Sequence, residues 1–454
     1  MGDPLVYVLI INWNGREHLA ECFDSLLAGT YQNARFVLVD NASDDDSVAF
    51  VEEHYDDPRV DIIECGGNLG WSGGNNVGMA RALEDGADYV FLLNNDTVTA
   101  PGAIARLVKM AEERPEIGAL APKMLLYRYP VLLNSVGLGC SIIGSSWDLG
   151  IGRLDGPQWS CPQPVIGVCG GACLFRAEAL RKAGNLPGDF EIYLDDLDLC
   201  LRIWNAGYEI WSCPEAVVRH KFGATMEQGQ RARRKYYLNT RNRFYVILRG
   251  FPLSKWPGVK LCVLVGESRA MGRALIGGEF WRAAAHVRAW AAAVAYLPKA
   301  WAERRRRRRN GMGTCRFWHL IRKDMLFFGG TEFPEDGWYA EQTLRRRRVR
   351  PISSRAQIPV EAGTLRVTLL NRYPRVGVAA VHLSLGGRHL GTLECKDGGI
   401  VEKTFAVPKG LLVFEARRMF TAEETGARMD LGGWIGMEAV NTTRSGGGND
   451  GHGA

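Results

Sequence analysis

The sequence predicts an α/β protein: a mostly parallel sheet with helices on both faces, then a basic helical segment and a small antiparallel β-domain. Apolar strand-like runs alternate with helical periodicity from residue 5 to about residue 220, the pattern of a doubly wound sheet. Between Lys255 and Arg350, 21 Lys+Arg face 8 Asp+Glu, whereas the rest of the chain carries 35 against 42. The basic material is one segment. After Arg350, the short runs LRVTLL, AAVHLSL and LLVFEA are punctuated by Gly-Gly and Pro-Lys-Gly, as in antiparallel strands. At 454 residues the chain is long enough for two or three cores. The boundaries read as 1–250, 251–350 and 351–440, with a tail, 441–454, whose composition predicts disorder.

In order, Leu5 to Ile11 reads as a buried strand that turns at Asn12 to Gly15 into a helix with Leu19, Cys22, Phe23, Leu26 and Leu27 on one face. Phe36 to Val39 is the second strand, ending in Asp40 and Asn41, with Ser43 to Ser47 capping the next helix. Val60 to Glu64 is the third, followed by a glycine-rich turn, GGNLGWSGGNNVG, and a helix through Leu83. Tyr89 to Leu93 is the fourth, and it delivers Asn94, Asn95 and Asp96 to its carboxyl end, where open α/β sheets bind ligands. A plainer reading makes Asp96 or Thr97 the cap of a helix near Pro101. Ile117 to Pro122 is a further strand, Lys123 to Gln163 reads as irregular loops that frame a substrate, and Val165 to Phe175 resumes the sheet. Asp195, Asp196 and Asp198 open a helix whose Leu197, Leu201 and Trp204 face inward. The helix dipole favours carboxylates there, but three in four positions exceeds what capping requires. Glu209 to Cys213 and Ala216 to Arg219 return as strands presenting His220.

Several classes are disfavoured. No GxGxxG follows the first strand and no GxxxxGK[ST] occurs, which argues against a dinucleotide-binding dehydrogenase and a P-loop NTPase. Eleven cysteines without paired CxxC spacing suit reduced thiols in the cytosol, and Cys169 and Cys173 read as small buried residues. MGDPLVYVLII lacks the basic region of a signal peptide. The best candidate for a membrane span is interrupted by Glu267, Arg269 and Arg273.

In the basic segment, Phe280, Ala283, Val287, Trp290, Val294, Leu297 and Trp301 recur at helical spacing ahead of six arginines, Arg304 to Arg309. This suits a helix lying on an anionic membrane surface. The alternative is a core-facing helix with a solvated charge run, its length limited by Pro298. No stacking motif accompanies the arginines, so nucleic acid is not an expected partner.

Six blocks, VLIINWNG, VDNASDDDS, NLGWSGGNNVG, LLNNDT, GGACLFRAEAL and LDDLDLCLRIWNAGY, cover residues 5 to about 225. In order and spacing they resemble a family 2 glycosyltransferase with the Rossmann-like GT-A fold, most closely the rhamnosyl- and galactofuranosyl-type branch that builds bacterial surface polysaccharides. The resemblance implies that Asn12 and Asp40 hold the base and ribose of a nucleotide sugar, a dTDP- or UDP-sugar. It brings Asn41, Asn68, Gly74, Asn76, Asn94 and Asn95 into the donor site and makes Asp196 the general base, with Asp195 beside it. Asp96 and His220 become the ligands of Mn²⁺ or Mg²⁺. The sequence departs from the family pattern at Asn94, where Asp is usual, and at Asp195-Asp196, where Glu-Asp is usual. The final domain looks like a small β-sandwich appended to some bacterial glycosyltransferases.

One base without a second carboxylate nucleophile points to inversion at the anomeric carbon. The expected acceptor is a glycan or a polyprenyl-diphosphate-linked sugar. The enzyme is then expected in the cytoplasm, peripheral on the inner face of the plasma membrane. Two other readings are a nucleotidyltransferase and a non-catalytic glycan-binding protein with a degenerate transferase domain.

Overall fold

The computed structural model describes residues 2–221 apart from 128, 129, 131 and 154, residues 230–323 apart from 314 and 315, and residues 342–439 apart from 345–346, 353–354, 361, 371–377, 397–398 and 417–432. The expected tail, 441–454, lies outside the described residues. The chain divides into two compact units, the first formed by Met1–Ile151 and Asp155–Gly329, the second drawn from Gly330–Ala454.

The first unit opens with three strand–helix repeats and a fourth strand: β1 (Val6–Asn12), α1 (Arg16–Leu27), β2 (Ala34–Asp40), α2 (Ser47–His54), β3 (Val60–Glu64), α3 (Gly70–Glu84) and β4 (Tyr89–Asn94). They pair in parallel in the order β3-β2-β1-β4, with Asn12 beside Asp40 and Ile11 beside Asn94. Alternation explains why each strand reads as continuously apolar. Leu9, Val37, Val39, Val90 and Leu92 face the helix carrying Met79 and Ala82. Val8, Ile10, Phe36, Leu38 and Phe91 face Leu19, Phe23 and Leu26 of α1.

The stretch read as a glycine-rich turn is largely the first half of α3. A Cβ at Gly74 would come within 2.4 Å of Ile11 Cδ1, and one at Gly78 within 2.9 Å of both Leu9 and Val39. The glycines bring the helix close to the sheet, a packing role that outweighs their low helix propensity.

Beyond β4 come β5 (Thr97–Thr99), α4 (Ala103–Glu113), β6 (Ile117–Leu126), β7 (Leu133–Ser135), β8 (Leu138–Cys140), β9 (Ser146–Asp148), β10 (Ala172–Arg176), α5 (Ala177–Ala183), α6 (Asp195–Asn205), β11 (Glu209–His220), α7 (Gln230–Gly250), α8 (Trp256–Ile276) and α9 (Phe280–Arg309). The sheet continues β4-β10-β6-β11-β5. β10 runs antiparallel to β4 and β6, β5 to β11 and β7 to β6, while β1, β2, β3, β4, β6 and β11 all point one way, which makes the sheet mostly parallel. Only Ala172 onward joins it, later than the expected Val165. The two strands expected between Glu209 and Arg219 are one, β11, with an irregularity between Cys213 and Val217. The region expected as open loops contains β7 to β9 and is largely buried from Leu132 to Ile143.

The expected boundary at residue 250 falls inside this first unit. Phe244 and Val246 of α7, Val259 and Val263 of α8, and Ala289, Ala293, Tyr296 and Ala300 of α9 share one core with Phe190 and Leu199. Alanines line the buried face of α9. The predicted stripe divides: Ala283 is on that buried face and Trp290 donates to the buried Glu267, while Phe280, Val287 and Val294 are 68%, 56% and 62% exposed. Pro298 does not end the helix, which runs on to Arg309. Contacts beyond the proline hold the last turns: Arg304 donates to the carbonyls of Leu248 and Ile247, and the buried Arg307 donates to Glu303. Two of the six arginines are therefore structural, and Arg305, Arg306, Arg308 and Arg309 are exposed.

The second unit contains β12 (Gln342–Leu344), β13 (Arg347–Ile352), β14 (Arg355–Val360), β15 (Gly363–Leu370), β16 (Ala379–Leu385), β17 (Arg388–Cys395), β18 (Ile400–Val407), β19 (Gly410–Ala416) and β20 (Gly433–Ala439). Two antiparallel sheets, β12-β13-β20-β15-β18 and β14-β19-β16-β17, enclose Val367, Leu369, Val381, Leu383, Leu393 and Phe414 as a sandwich.

Candidate active site

The carboxyl ends of β1, β2 and β4 converge on one polar crevice. Asn12 is buried; its Nδ2 donates to Asp40 Oδ1 at 3.0 Å and its Oδ1 accepts from Asn95 Nδ2 at 2.6 Å. Ser43, expected as a helix cap, instead donates to Asp40 through both its backbone N–H (2.9 Å) and its hydroxyl (2.6 Å). These bonds satisfy a carboxylate that burial would otherwise penalise. Asn41 Nδ2 reaches Asn68 Oδ1 at 3.1 Å, and its Oδ1 accepts from the Leu69 N–H at 2.8 Å. A Cβ added at Gly74 would stand 3.5 Å from the Asn41 side chain, which places this glycine beside the crevice. Asn76 does not join this group. Its amide exchanges two hydrogen bonds with the backbone of Leu186, at 3.0 and 2.9 Å, and so anchors a loop.

Neither Asp96 nor Thr97 caps α4, whose first turn has Gly102 before it and no side-chain cap. Asp96 instead lies 3.1 Å from His220 Nε2, and His220 Nδ1 lies 2.6 Å from Asn134 Oδ1. Because that oxygen can only accept, Nδ1 carries a proton, and Nε2 is the ring nitrogen that faces Asp96. Burial works against the Asp96 charge, but the His220 hydrogen bond and charge overcome it and hold the carboxyl below its usual range.

Two ligands at about 2.1 Å and roughly a right angle lie about 3 Å apart, so this oxygen–imidazole pair fits one edge of an octahedral divalent cation. Among the described residues, no set of three His, Cys, Asp or Glu side chains forms a metal cage. A cation here would take its other ligands from a diphosphate and water, the usual habit of Mg²⁺.

On the opposite wall stands the start of α6. Asp195 accepts from the Ser72 hydroxyl, and Asp196 accepts from the Gly170 N–H at 3.1 Å and the Leu197 N–H at 2.7 Å. Burial raises the Asp196 pKa to about 8, with the charges of Asp195 and then Asp148 adding to it. Asp198, two positions further along the helix, is a different kind of residue. Its two oxygens meet Arg202 and Arg249 at 2.8 Å each, and those guanidiniums, outweighing its burial, hold it far below the carboxylate range. It ties α6 to α7 and has no place in the crevice.

Two residues within the NLGWSGGNNVG block, given no role on sequence grounds, join the walls. The Trp71 indole N–H donates to Asn94 Oδ1 at 3.3 Å, and its ring packs where a Gly170 side chain would stand. Ser72 holds Asp195. A third unforeseen residue is Asp148. Its Oδ1 is buried without a hydrogen-bond partner, and burial raises its pKa. No pattern in a stretch that read as loop marked it.

The loop before α6 is held from a distance. Glu191, Tyr193 and Leu194 all have left-handed backbones (φ 66°, 72° and 65°), which non-glycine residues adopt at a cost. Asn242 of α7, fully buried, places its Nδ2 2.8 to 2.9 Å from the carbonyls of Phe190, Ile192 and Tyr193.

Open α/β sheets bind their ligands in such a crevice, at the carboxyl ends of the strands. Residues 7–125 match the family model Glycosyl transferase family 2, and residues 89–298 match Glycosyl transferase family group 2. Together the two matches, both to glycosyltransferase family 2 models, span residues 7–298 of the chain. The N-acetylglucosaminyl-diphospho-decaprenol L-rhamnosyltransferase of Mycobacterium tuberculosis is 27% identical over 236 residues, 47% of this chain and 75% of that protein. The low-salt glycan biosynthesis hexosyltransferase Agl10 of Haloferax volcanii is 24% identical over 248 residues, 52% of this chain and 73% of that protein. Among solved structures, GalNAc-T7 with UDP, GalNAc and Mn²⁺ superposes with a TM-score of 0.47 at 15% identity, covering 59% of this chain and 51% of that one.

Proposed function

We propose that this glycosyltransferase moves a rhamnose-like or other hexosyl group from a dTDP- or UDP-sugar to a hydroxyl of a lipid-linked glycan, with inversion. The observation that carries this reading is the run of contacts from Asn94 through Trp71 and Gly170 to Asp196, which links the polar end of β4 to a buried carboxylate. The rhamnosyltransferase relative, whose name specifies a diphospho-decaprenol acceptor, supports the choice of sugar and acceptor.

In this reading Asn12, Asp40, Asn41 and Asn68 hold the nucleoside. Asp196 takes the proton of the acceptor hydroxyl as its oxygen attacks the anomeric carbon and the nucleoside diphosphate leaves from the opposite face. Asp195, fixed by Ser72, adds its charge beside Asp196 and keeps the base close to neutrality, where a general base works best. Asp96 and His220 would hold Mn²⁺ or Mg²⁺, with Asn94 and Asn95 beside them; the cation, when bound, neutralises charge on the leaving diphosphate. Asp96→Ala is expected to weaken nucleoside diphosphate binding about tenfold with Mn²⁺ present and to change little without it. Equal metal dependence in titrations of wild type and variant would remove Asp96 from the site. Nucleotide-sugar turnover by the wild type separates this reading from a non-catalytic glycan-binding role.

We also infer peripheral attachment to the cytoplasmic face of an anionic membrane. No described helix is long and apolar enough to cross one. The support is the exposed face of Phe280, Val287 and Val294 together with the four exposed arginines, each worth about 1 kcal/mol near such a surface. Changing Arg305, Arg306, Arg308 and Arg309 to Gln, while keeping Arg304 and Arg307, should reduce co-sedimentation with anionic vesicles at low salt. Pelleting equal to wild type would refute the anchor.

A further inference from the structure

Between α7 and α9 lies a groove of 590 Å³ lined by Arg233, Arg234, Tyr237, Trp281 and Arg288. Its arginines are arranged for an anion. Arg288 lies 4.5 Å from the centre of the Tyr237 ring and Arg233 5.5 Å from that of Trp281. Among the described residues, neither meets a carboxylate within ion-pair distance, whereas Arg234 bridges to Glu191 at 2.7 Å and Arg282 to Glu279 at 2.8 Å. Two guanidiniums fixed on aromatic faces without an internal counter-ion form a site for a phosphate-bearing ligand.

We propose that this groove binds the diphosphate of a prenyl-diphosphate-linked acceptor, an inference that rests on the transferase reading above. Three features favour that occupant. The groove is far larger than a lone phosphate needs, and two aromatic rings line it beside the arginines. About a quarter turn round α9, Phe280 and Val287 stand exposed, next in sequence to Trp281 and Arg288, where an apolar chain can continue. Arg234 joins the groove to Glu191, which also pairs with Arg241 at 2.7 Å and begins the loop into Asp195 and Asp196. A diphosphate held here directs the sugar attached to it toward the base.

The test uses the full chain and farnesyl diphosphate as probe, followed by calorimetry. The wild type is expected to bind it at least tenfold more tightly than either farnesol or inorganic pyrophosphate, and to do so with UDP or dTDP already at saturation. Arg233→Gln with Arg288→Gln should weaken binding tenfold or more. If that pair lowers the unfolding midpoint by more than a few degrees, Arg288→Lys, which keeps the charge but loses the fork, replaces it and should show a smaller loss in the same direction. The proposal is overturned if farnesyl diphosphate fails to bind, if nucleoside diphosphate displaces it, if pyrophosphate binds as tightly, or if the variants bind like wild type. Turnover of a nucleotide-sugar panel by the same wild-type sample reports separately on the transferase reading: turnover without farnesyl diphosphate binding overturns the groove alone.

Discussion

Asp196→Asn is expected to lower the transfer rate by about 10²- to 10⁴-fold, the usual range for loss of a general base, and to leave nucleotide-sugar binding within a few-fold of wild type. Asparagine keeps the shape and can still accept from the Gly170 N–H, but cannot take a proton. Stability should move the other way. Burial and the Asp195 charge raise the folded-state pKa to about 8, whereas the unfolded chain titrates in the ordinary carboxylate range near 4. The folded state thus holds the proton more tightly. That contribution is complete below about pH 4 and is lost as pH rises through about 8. The asparagine variant escapes the loss, so its unfolding midpoint should exceed that of wild type by a few degrees at pH 8 and match it near pH 4. Full transfer activity in the variant would refute the assignment. The same titration predicts a kcat/KM that climbs with pH on its acid limb until the base is deprotonated.

Asp198→Asn is expected to give the converse result two residues away: a loss of about 3 to 5 kcal/mol, or roughly 10 °C in the unfolding midpoint. The substitution leaves Arg202 and Arg249, both buried, facing an amide. Arg249 retains Glu303 at 2.8 Å, which softens the effect without cancelling it. Here the folded pKa is depressed, so the stabilisation is present above the unfolded pKa and declines only as pH falls through the much lower folded value. Wild-type stability should therefore keep this contribution through mild acid. An unchanged midpoint by scanning calorimetry would show that the arginines find other partners.

The contrast between Asp196 and Asp198 marks where sequence reading stops. β1, β2 and β4 were legible because burial on both faces leaves continuous apolar runs, and their polar ends named Asn12, Asp40 and Asp96 directly. The helix dipole accounts equally well for any acid in the first turn of α6, so it could not sort a base from a structural ion pair. That distinction depends on which side chains arrive from elsewhere: Ser72 for Asp195, Arg249 for Asp198. The glycine run was taken for a turn because low helix propensity and close packing leave the same residues in the sequence. Asn76 looked like its neighbours Asn68 and Asn75 until Leu186 claimed it. In α9 the predicted stripe splits: Ala283 packs inward with alanines too small to dominate such a pattern, while Phe280, Val287 and Val294 stay exposed.

The three left-handed residues before α6 lie in a loop whose carbonyls are held by Asn242 and Arg241, about fifty positions further along the chain. The sheet strands up to β11 are all made before Asn242 leaves the ribosome, but the segment that aims Asp195 and Asp196 has no template until α7 docks. Synthesis thus delivers the strands before the side chains that hold this loop. A chain stopped short of residue 242 carries the sequence of every strand of the crevice but not the carboxamide that holds the loop before α6.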